Sequence, residues 1–307
     1  NVLNYFCKCI LILDESPFYF ESGGQIGDRG FVINDNFIFF VENVVSINGL
    51  CIHFGVLQFG YIKLGEYVKC CVDFQFRKKI ASNHSATHII NCVLRKKLSN
   101  KIKQVGSYID DKKLRFDFLY NYPLNINLLT NIEFIVNKYV FDNLCVKYDI
   151  INFFDIKHKN IVFLDDDKYG DKVRVVYIGD FFSSELCAGT HVNYSGEIGL
   201  VKILSFSNIA SGVKRLEAVT GFNSLLIIQN KFKLLDFFKN ILKCEENFFE
   251  TRITNLLFLN YFLNKKLIKL KKNFILNLKK DIFKSVILIN NVKLLLFNIF
   301  FGDINLL

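Results

Sequence analysis

The sequence predicts an α+β protein in three successive parts: a small β-barrel, a mixed α/β domain and a C-terminal helical, coiled-coil-like arm. Three observations carry this. Short β-branched and aromatic runs separated by turn residues fill residues 1–78. The apolar period then lengthens to that of a helix, and residues 79–221 alternate helical and strand patterns. From Phe222 the pattern is helical to residue 284.

In the first part, strands are predicted at residues 9–13, 31–33, 37–41 and 70–76, divided by turns at 14–17, 23–24, 34–35 and 63–65. Short strands at this spacing suggest a barrel. In the second part, Ile80, His84, Thr87, His88, Cys92 and Arg95 lie on or near one helical face, with Ser82 or Asn83 as N-cap. A strand at 114–118 places Arg115 and Asp117 on one side, where they are expected to pair. Further strands are predicted at 173–178, 198–205 and 215–219. In the arm, seven of nine positions in the register 249, 253, 256, 260, 263, 267, 270, 274 and 277 are apolar, the pattern of a helical hairpin or of a coiled-coil arm able to support self-association. Residues 265–280 carry seven Lys and no acid, a solvated face or a surface for phosphates. Residues 285–301 read as strands, and 285–307 as the start of a truncated domain.

Composition narrows the classes. With 51% apolar and 22% charged residues the chain is folded rather than disordered. A net charge of +10 favours a polyanionic partner, although an AT-rich genome would also inflate Lys. Nine Cys without framework spacing and without a signal peptide read as reduced thiols of a cytoplasmic protein. No window of about 18 uncharged apolar residues is present, so no membrane span is expected. The absence of Met raises the expectation that the sequence is a piece of a longer chain.

Three of the five His fall in two tight boxes. In His84-Ser-Ala-Thr-His88 the imidazoles stand one helical turn apart and can reach one ion. In Cys187-Ala-Gly-Thr-His191 a turn at Gly189 can bring thiolate and imidazole to one point. Together His84, His88, Cys187 and His191 make a nitrogen and sulfur set suited to Zn²⁺. Four protein ligands describe a closed, structural site, whereas a hydrolytic zinc keeps a position open for water, so either one ligand can yield or the ion mainly positions a substrate.

These boxes sit within a longer series of motifs: residues 13–28 (Leu-Asp-Glu-Ser-Pro-Phe-Tyr-Phe-Glu-Ser-Gly-Gly-Gln-Ile-Gly-Asp), Gln104-Val-Gly-Ser107, Leu114-Arg-Phe-Asp-Phe118, Glu185-Leu-Cys-Ala-Gly-Thr-His-Val192 and residues 212–221 (Gly-Val-Lys-Arg-Leu-Glu-Ala-Val-Thr-Gly). In this order they resemble the editing region of the alanyl-tRNA synthetase family. The chain departs from that pattern at Ala188, Phe206, Asn208 and Lys214.

The resemblance implies a barrel over 1–78 with a Gly23-Gly24-Gln25 loop facing the tRNA end, a zinc-dependent editing domain over 79–221 and a helical arm over 222–284. It makes His84, His88, Cys187 and His191 ligands of one zinc. It gives Thr87 the reading of the substrate amino acid, Gln104 a polar place in the editing pocket, and Arg115 a part in tRNA or substrate binding. The implied reaction is ester hydrolysis of Ser-tRNA(Ala) and Gly-tRNA(Ala), serving ATP-dependent tRNA(Ala) aminoacylation by a catalytic domain outside this sequence. Three alternatives stay open: a free-standing alanyl-tRNA editing protein, the related editing domain of threonyl-tRNA synthetase, and a non-catalytic tRNA-binding module with structural zinc.

Overall fold

The computed structural model describes residues 7–100, 102–123, 125–156, 161–163, 169–180, 182–284, 286–290 and 292–294. The chain divides into two compact units, Asn1–Ile228 and Gln229–Leu307.

The first unit begins with β1 (Cys7–Ile12), β2 (Gly30–Ile33), β3 (Phe37–Ile47), β4 (Leu50–Gly60) and β5 (Lys69–Val72). They form one antiparallel sheet in the order β1-β4-β3-β2-β5. This is an open sheet and not the predicted closed barrel: β1 and β5 are its two edges. β5 has four residues and is followed at once by Asp73, which caps the next helix and so takes the chain away before it could reach β1. Register shifts mark a bulge in β4 at Gln58, opposite Ile38 and Phe39, and one in β3 at Glu42, between Val41 and Asn43, a device that bends a strand. Its inner face buries Phe18, Val32, Phe37, Phe39, Val41, Val44 and Leu57. β4 escaped the sequence reading, although its signal is present. Asn48 and Gly49 have φ of 52° and 82°, as a two-residue hairpin turn between twisted strands requires.

α1 (Phe74–Lys97) starts before the expected position. Asp73, not Ser82 or Asn83, is the N-cap, its carboxylate accepting from Phe76 N at 3.0 Å. From Ile80 to Leu94 α1 is buried on every side, as befits a central helix. After it come β6 (Gln104–Ile109), β7 (Leu114–Leu119), α2 (Ile126–Phe141), β8 (Val146–Asn152), the single turn α3 (Phe153–Ile156), β9 (Lys172–Ile178), β10 (Ser183–Leu186), β11 (Val201–Ala210), β12 (Val213–Thr220) and α4 (Gly221–Leu242). One sheet runs β11-β12-β7-β6 and another β10-β9-β8. Ile89, Val93, Phe116, Phe118, Ile132, Val136 and Leu216 meet in the main core between α1, α2 and the four-stranded sheet. The protein is thus mixed α/β.

The second unit holds the end of α4, α5 (Phe249–Lys284), and the hairpin β13 (Ile287–Ile289) with β14 (Val292–Leu294). α5 is helical, as its period predicts, and runs unbroken for 36 residues rather than turning back as a hairpin. The coiled coil is not confirmed: the seam residues Ile253, Leu256, Leu263, Leu267, Leu270 and Phe274 are all exposed. Periodicity fixes the helix, but a seam is apolar whether or not a partner covers it. Residues 295–307 of the predicted terminal segment lie outside the described residues.

Candidate metal centre

α1 supplies His84 and His88, and the turn after β10 supplies Cys187 and His191. One ligand atom from each of the four lies within 4.8 Å of every other. Cys187 Sγ stands 3.2 Å from His84 Nε2 and 3.3 Å from His191 Nε2. His88 Nε2 is buried without a hydrogen-bond partner, which leaves that position of the ring to an ion. Burial opposes a thiolate, but the His84, His191 and His88 imidazoles outweigh it and hold the Cys187 thiol well below the ordinary cysteine range. Burial, then His84, lowers His191 to about 3, so this ring is neutral, as a ligand must be. For His88 burial works downward, but the Glu185 carboxylate and the Cys187 sulfur raise it to about 10, so this ring holds a proton that an ion binding at Nε2 would have to displace. Nitrogen, sulfur and an unpartnered buried ring position at these separations fit Zn²⁺.

Each imidazole has a partner at Nδ1, which turns Nε2 inward. His84 Nδ1 meets Gln25 Oε1 at 2.6 Å, His88 Nδ1 meets Glu185 Oε2 at 2.8 Å, and His191 Nδ1 meets Ser85 Oγ at 3.1 Å. Such outer contacts fix ring orientation and tautomer in metal sites. Glu185 is itself held by Asn91 Nδ2 at 3.0 Å and Ser183 Oγ at 3.0 Å. Arg174 donates to Gly189 O at 2.6 Å and so clamps the turn that carries Cys187 and His191. The sequence reading assigned no role to Glu185, Ser85 or Arg174. The first two were within reach of it: Glu185 stands two residues before Cys187 on a strand, and Ser85 stands between the ligand His of α1.

Gly189 closes the arrangement. A Cβ there would lie 2.1 Å from His84 Cε1 and 2.8 Å from Gln25 Oε1. Gly189→Ala is therefore expected to push His84 out of line and cost most of the metal affinity, with the core left folded. Equal zinc affinity in this variant and in the wild type, by chelator competition, would contradict the packing described.

The centre is closed at the back and open in front. His84 and His88 are buried, whereas Cys187 and His191 are half-buried and Ala188 is exposed. Beside the ligand turn, reaching it at Ala188 and Thr190, lies a cleft of about 410 Å³ lined also by Pro17, Tyr19, Phe20 and Arg77 among others. Arg77 is fixed there by an ion pair to the buried Asp28. Burial and the Cys187 sulfur raise the Tyr19 phenol to about 12, so it stays a hydroxyl, donating to Ser22 O at 3.2 Å.

The other expected site residues fall as follows. Thr87 is buried on α1 and its hydroxyl donates to Asn83 O at 2.9 Å. Gly23 is exposed, and its carbonyl accepts from Ser107 Oγ at 3.2 Å. Gly24 is packed so closely on β6 that a Cβ would meet Ser107 O at 2.3 Å. Gln25 is fully buried beside His84. Gln104 opens β6 opposite Phe118, half-buried, and makes none of the hydrogen bonds that bind the cluster among the described residues. Arg115 lies over the Tyr108 ring at 5.7 Å, with its Nε 3.6 Å from Asp117 Oδ2. The stronger partner of Asp117 is Arg215, directly opposite on β12, with two contacts of 2.8 and 2.7 Å. Of the residues that depart from the family pattern, Asn208 and Lys214 face each other across β11 and β12 and share a hydrogen bond, while Phe206 packs on the main core.

Comparison with known proteins decides the family. Residues 173–217 match the family model described as the threonyl and alanyl tRNA synthetase second additional domain, and residues 3–76 match that of class II (A) tRNA synthetases. Over 297 residues, 97% of the chain, the sequence is 39% identical to an alanine–tRNA ligase of Buchnera aphidicola subsp. Baizongia pistaciae (strain Bp). The chain is a homologue of alanine–tRNA ligase. It belongs to that family and spans about a third (34%) of the length of this relative. The alanine–tRNA ligase similarity takes in both boxes of the metal centre and much of the helical second unit, since it covers nearly the whole chain. Among the described residues no helix is long and apolar enough to cross a membrane.

Proposed function

We propose that this chain is the editing portion of an alanine–tRNA ligase, hydrolysing the ester of Ser-tRNA(Ala) and Gly-tRNA(Ala) at a zinc centre. It would serve a parent enzyme whose catalytic domain charges tRNA(Ala) with ATP. The observation that carries this reading is the inward convergence of three Nε2 atoms and one thiolate beside an open cleft. The second-additional-domain match is consistent with it.

Such a site answers a physical need. One methyl group discriminates by only about 1–3 kcal/mol, and an apolar alanine pocket rejects an added hydroxyl poorly. A second site that hydrogen-bonds the serine hydroxyl spares alanine, whose methyl would leave the polar partner unpaired. Zinc held by His84, His88, Cys187 and His191 would supply Lewis-acid activation of the ester or of water. The protein's own residues do the rest. Cys187 and His191 form the face open to substrate, and Ala188 leaves room in front of it. Thr87 already donates its proton to Asn83 O, so its remaining lone pair accepts from the substrate O–H. Gln104 and Arg115 on β6 and β7, with Gly23 and Gly24 beside them, line the approach of the tRNA end. Lys265, Lys266, Lys269, Lys271 and Lys272 on α5 take phosphates.

Thr87→Val tests the reading. The lost hydrogen bond should cost about 0.5–1.5 kcal/mol, about a 2- to 12-fold fall in the Ser-tRNA to Ala-tRNA ratio of single-turnover deacylation rates. An unchanged ratio at unchanged zinc content would place serine recognition elsewhere. A second reading, a tRNA-binding module with structural zinc, is favoured by the four protein ligands alone. It predicts a zinc-loaded chain that cleaves neither ester.

A further inference from the structure

The side chain of Gln25 comes from the N-terminal sheet unit, yet it lies wholly inside the metal centre. It has no exposed surface. Its Oε1 accepts from Thr190 N at 3.0 Å and contacts His84 Nδ1 at 2.6 Å, while its Nε2 donates to Thr190 Oγ1 at 3.0 Å. The backbone N–H of Thr190 can only donate, so the atom facing it is the amide oxygen. That oxygen can only accept, so His84 carries its proton on Nδ1 and presents a lone pair at Nε2. The side chain therefore selects the tautomer that a metal requires.

The loop is also fixed from behind. Ser22 and Gln25 exchange two backbone hydrogen bonds, of 3.1 and 3.0 Å. Ile109 N donates to Gly24 O at 2.8 Å, and Ile26 N to Ile109 O at 3.1 Å. Glu185 and Ser85 do for His88 and His191 what Gln25 does for His84, but each is a near neighbour of a ligand in sequence. Gln25 precedes His84 by 59 residues. The Gly189 backbone allows the contact, because any side chain there would strike both His84 and Gln25.

We propose that Gln25 is a positioning residue of the metal centre, fixing the His84 tautomer and tying the ligand turn at Thr190, so that the N-terminal sheet sets the metal affinity. The inference rests on the reading of the four residues as zinc ligands. In it Gln25 acts through His84 and touches no tRNA.

The test is zinc affinity of the full chain by competition with a chromophoric chelator, with the His84 tautomer read from ¹⁵N imidazole shifts. Gln25→Leu is expected to weaken zinc binding about 10- to 100-fold and to release the His84 tautomer. Gln25→Glu, which keeps the acceptor, is expected to stay within about threefold of wild type. Thr190→Val frees only the amide nitrogen and should weaken zinc by several-fold, which keeps the proposal testable if Gln25→Leu does not fold. Wild-type affinity in both Gln25→Leu and Thr190→Val overturns the proposal and leaves the zinc centre standing. A wild-type chain that takes up no zinc overturns both.

Discussion

A His84→Ala/His88→Ala variant is expected to retain almost no zinc where the wild-type chain holds one ion. The two rings supply half of the ligand set and come from one turn of a buried helix. Cys187 and His191 remain, but two ligands do not make a tetrahedral site. The chain should still fold. The main core around Ile89, Phe116 and Leu216 does not depend on either ring, and truncating two nearly buried side chains costs the usual few kcal/mol of a large-to-small change. Elemental analysis of both proteins at matched concentration is the check. Equal zinc in the two would remove these residues from the ligand set.

Glu185→Ala should give the largest loss of stability. The carboxylate is buried, and it joins β10 to α1 through His88 and Asn91 while also accepting from Ser183. Its removal strands three donors in the interior. Breaking a buried charged pair by deleting one partner costs about 3–5 kcal/mol. For a unit of this size that lowers Tm by roughly 6–20 °C. Glu185→Gln should recover much of the loss. Its oxygen can face His88 and Asn91 while its NH₂ donates to the Ser183 hydroxyl, so each group keeps a partner. Thermal unfolding of the three proteins decides it. A Glu185→Ala protein as stable as wild type would show that the pair is incidental.

Much of the site was legible before the structure, because its ligands come as two local boxes. A pair spaced by one helical turn needs only a helix, and a Cys and a His around a Gly need only a turn. What was not legible lies between segments distant in sequence. Arg115 does pair with Asp117, at 3.6 Å, but the residue opposite in the next strand, Arg215, holds both carboxylate oxygens more closely. The resemblance placed Gln25 in a loop facing the tRNA end, and only the fold shows its amide buried beside His84 and Thr190. The curvature of the first sheet is a property of bulges, which leave no simple period, so an open sheet read as a barrel. In the arm the period gave the helix and could not give a partner for its seam.

The account stands or falls on ester hydrolysis at the zinc centre. The direct measurement is deacylation of Ser-tRNA(Ala) and Ala-tRNA(Ala) by the purified chain, with and without removal of its zinc. The account predicts that the zinc-loaded chain cleaves the seryl ester in preference to the alanyl ester and that removal of the metal abolishes the difference. A zinc-loaded chain that leaves both esters intact would contradict it.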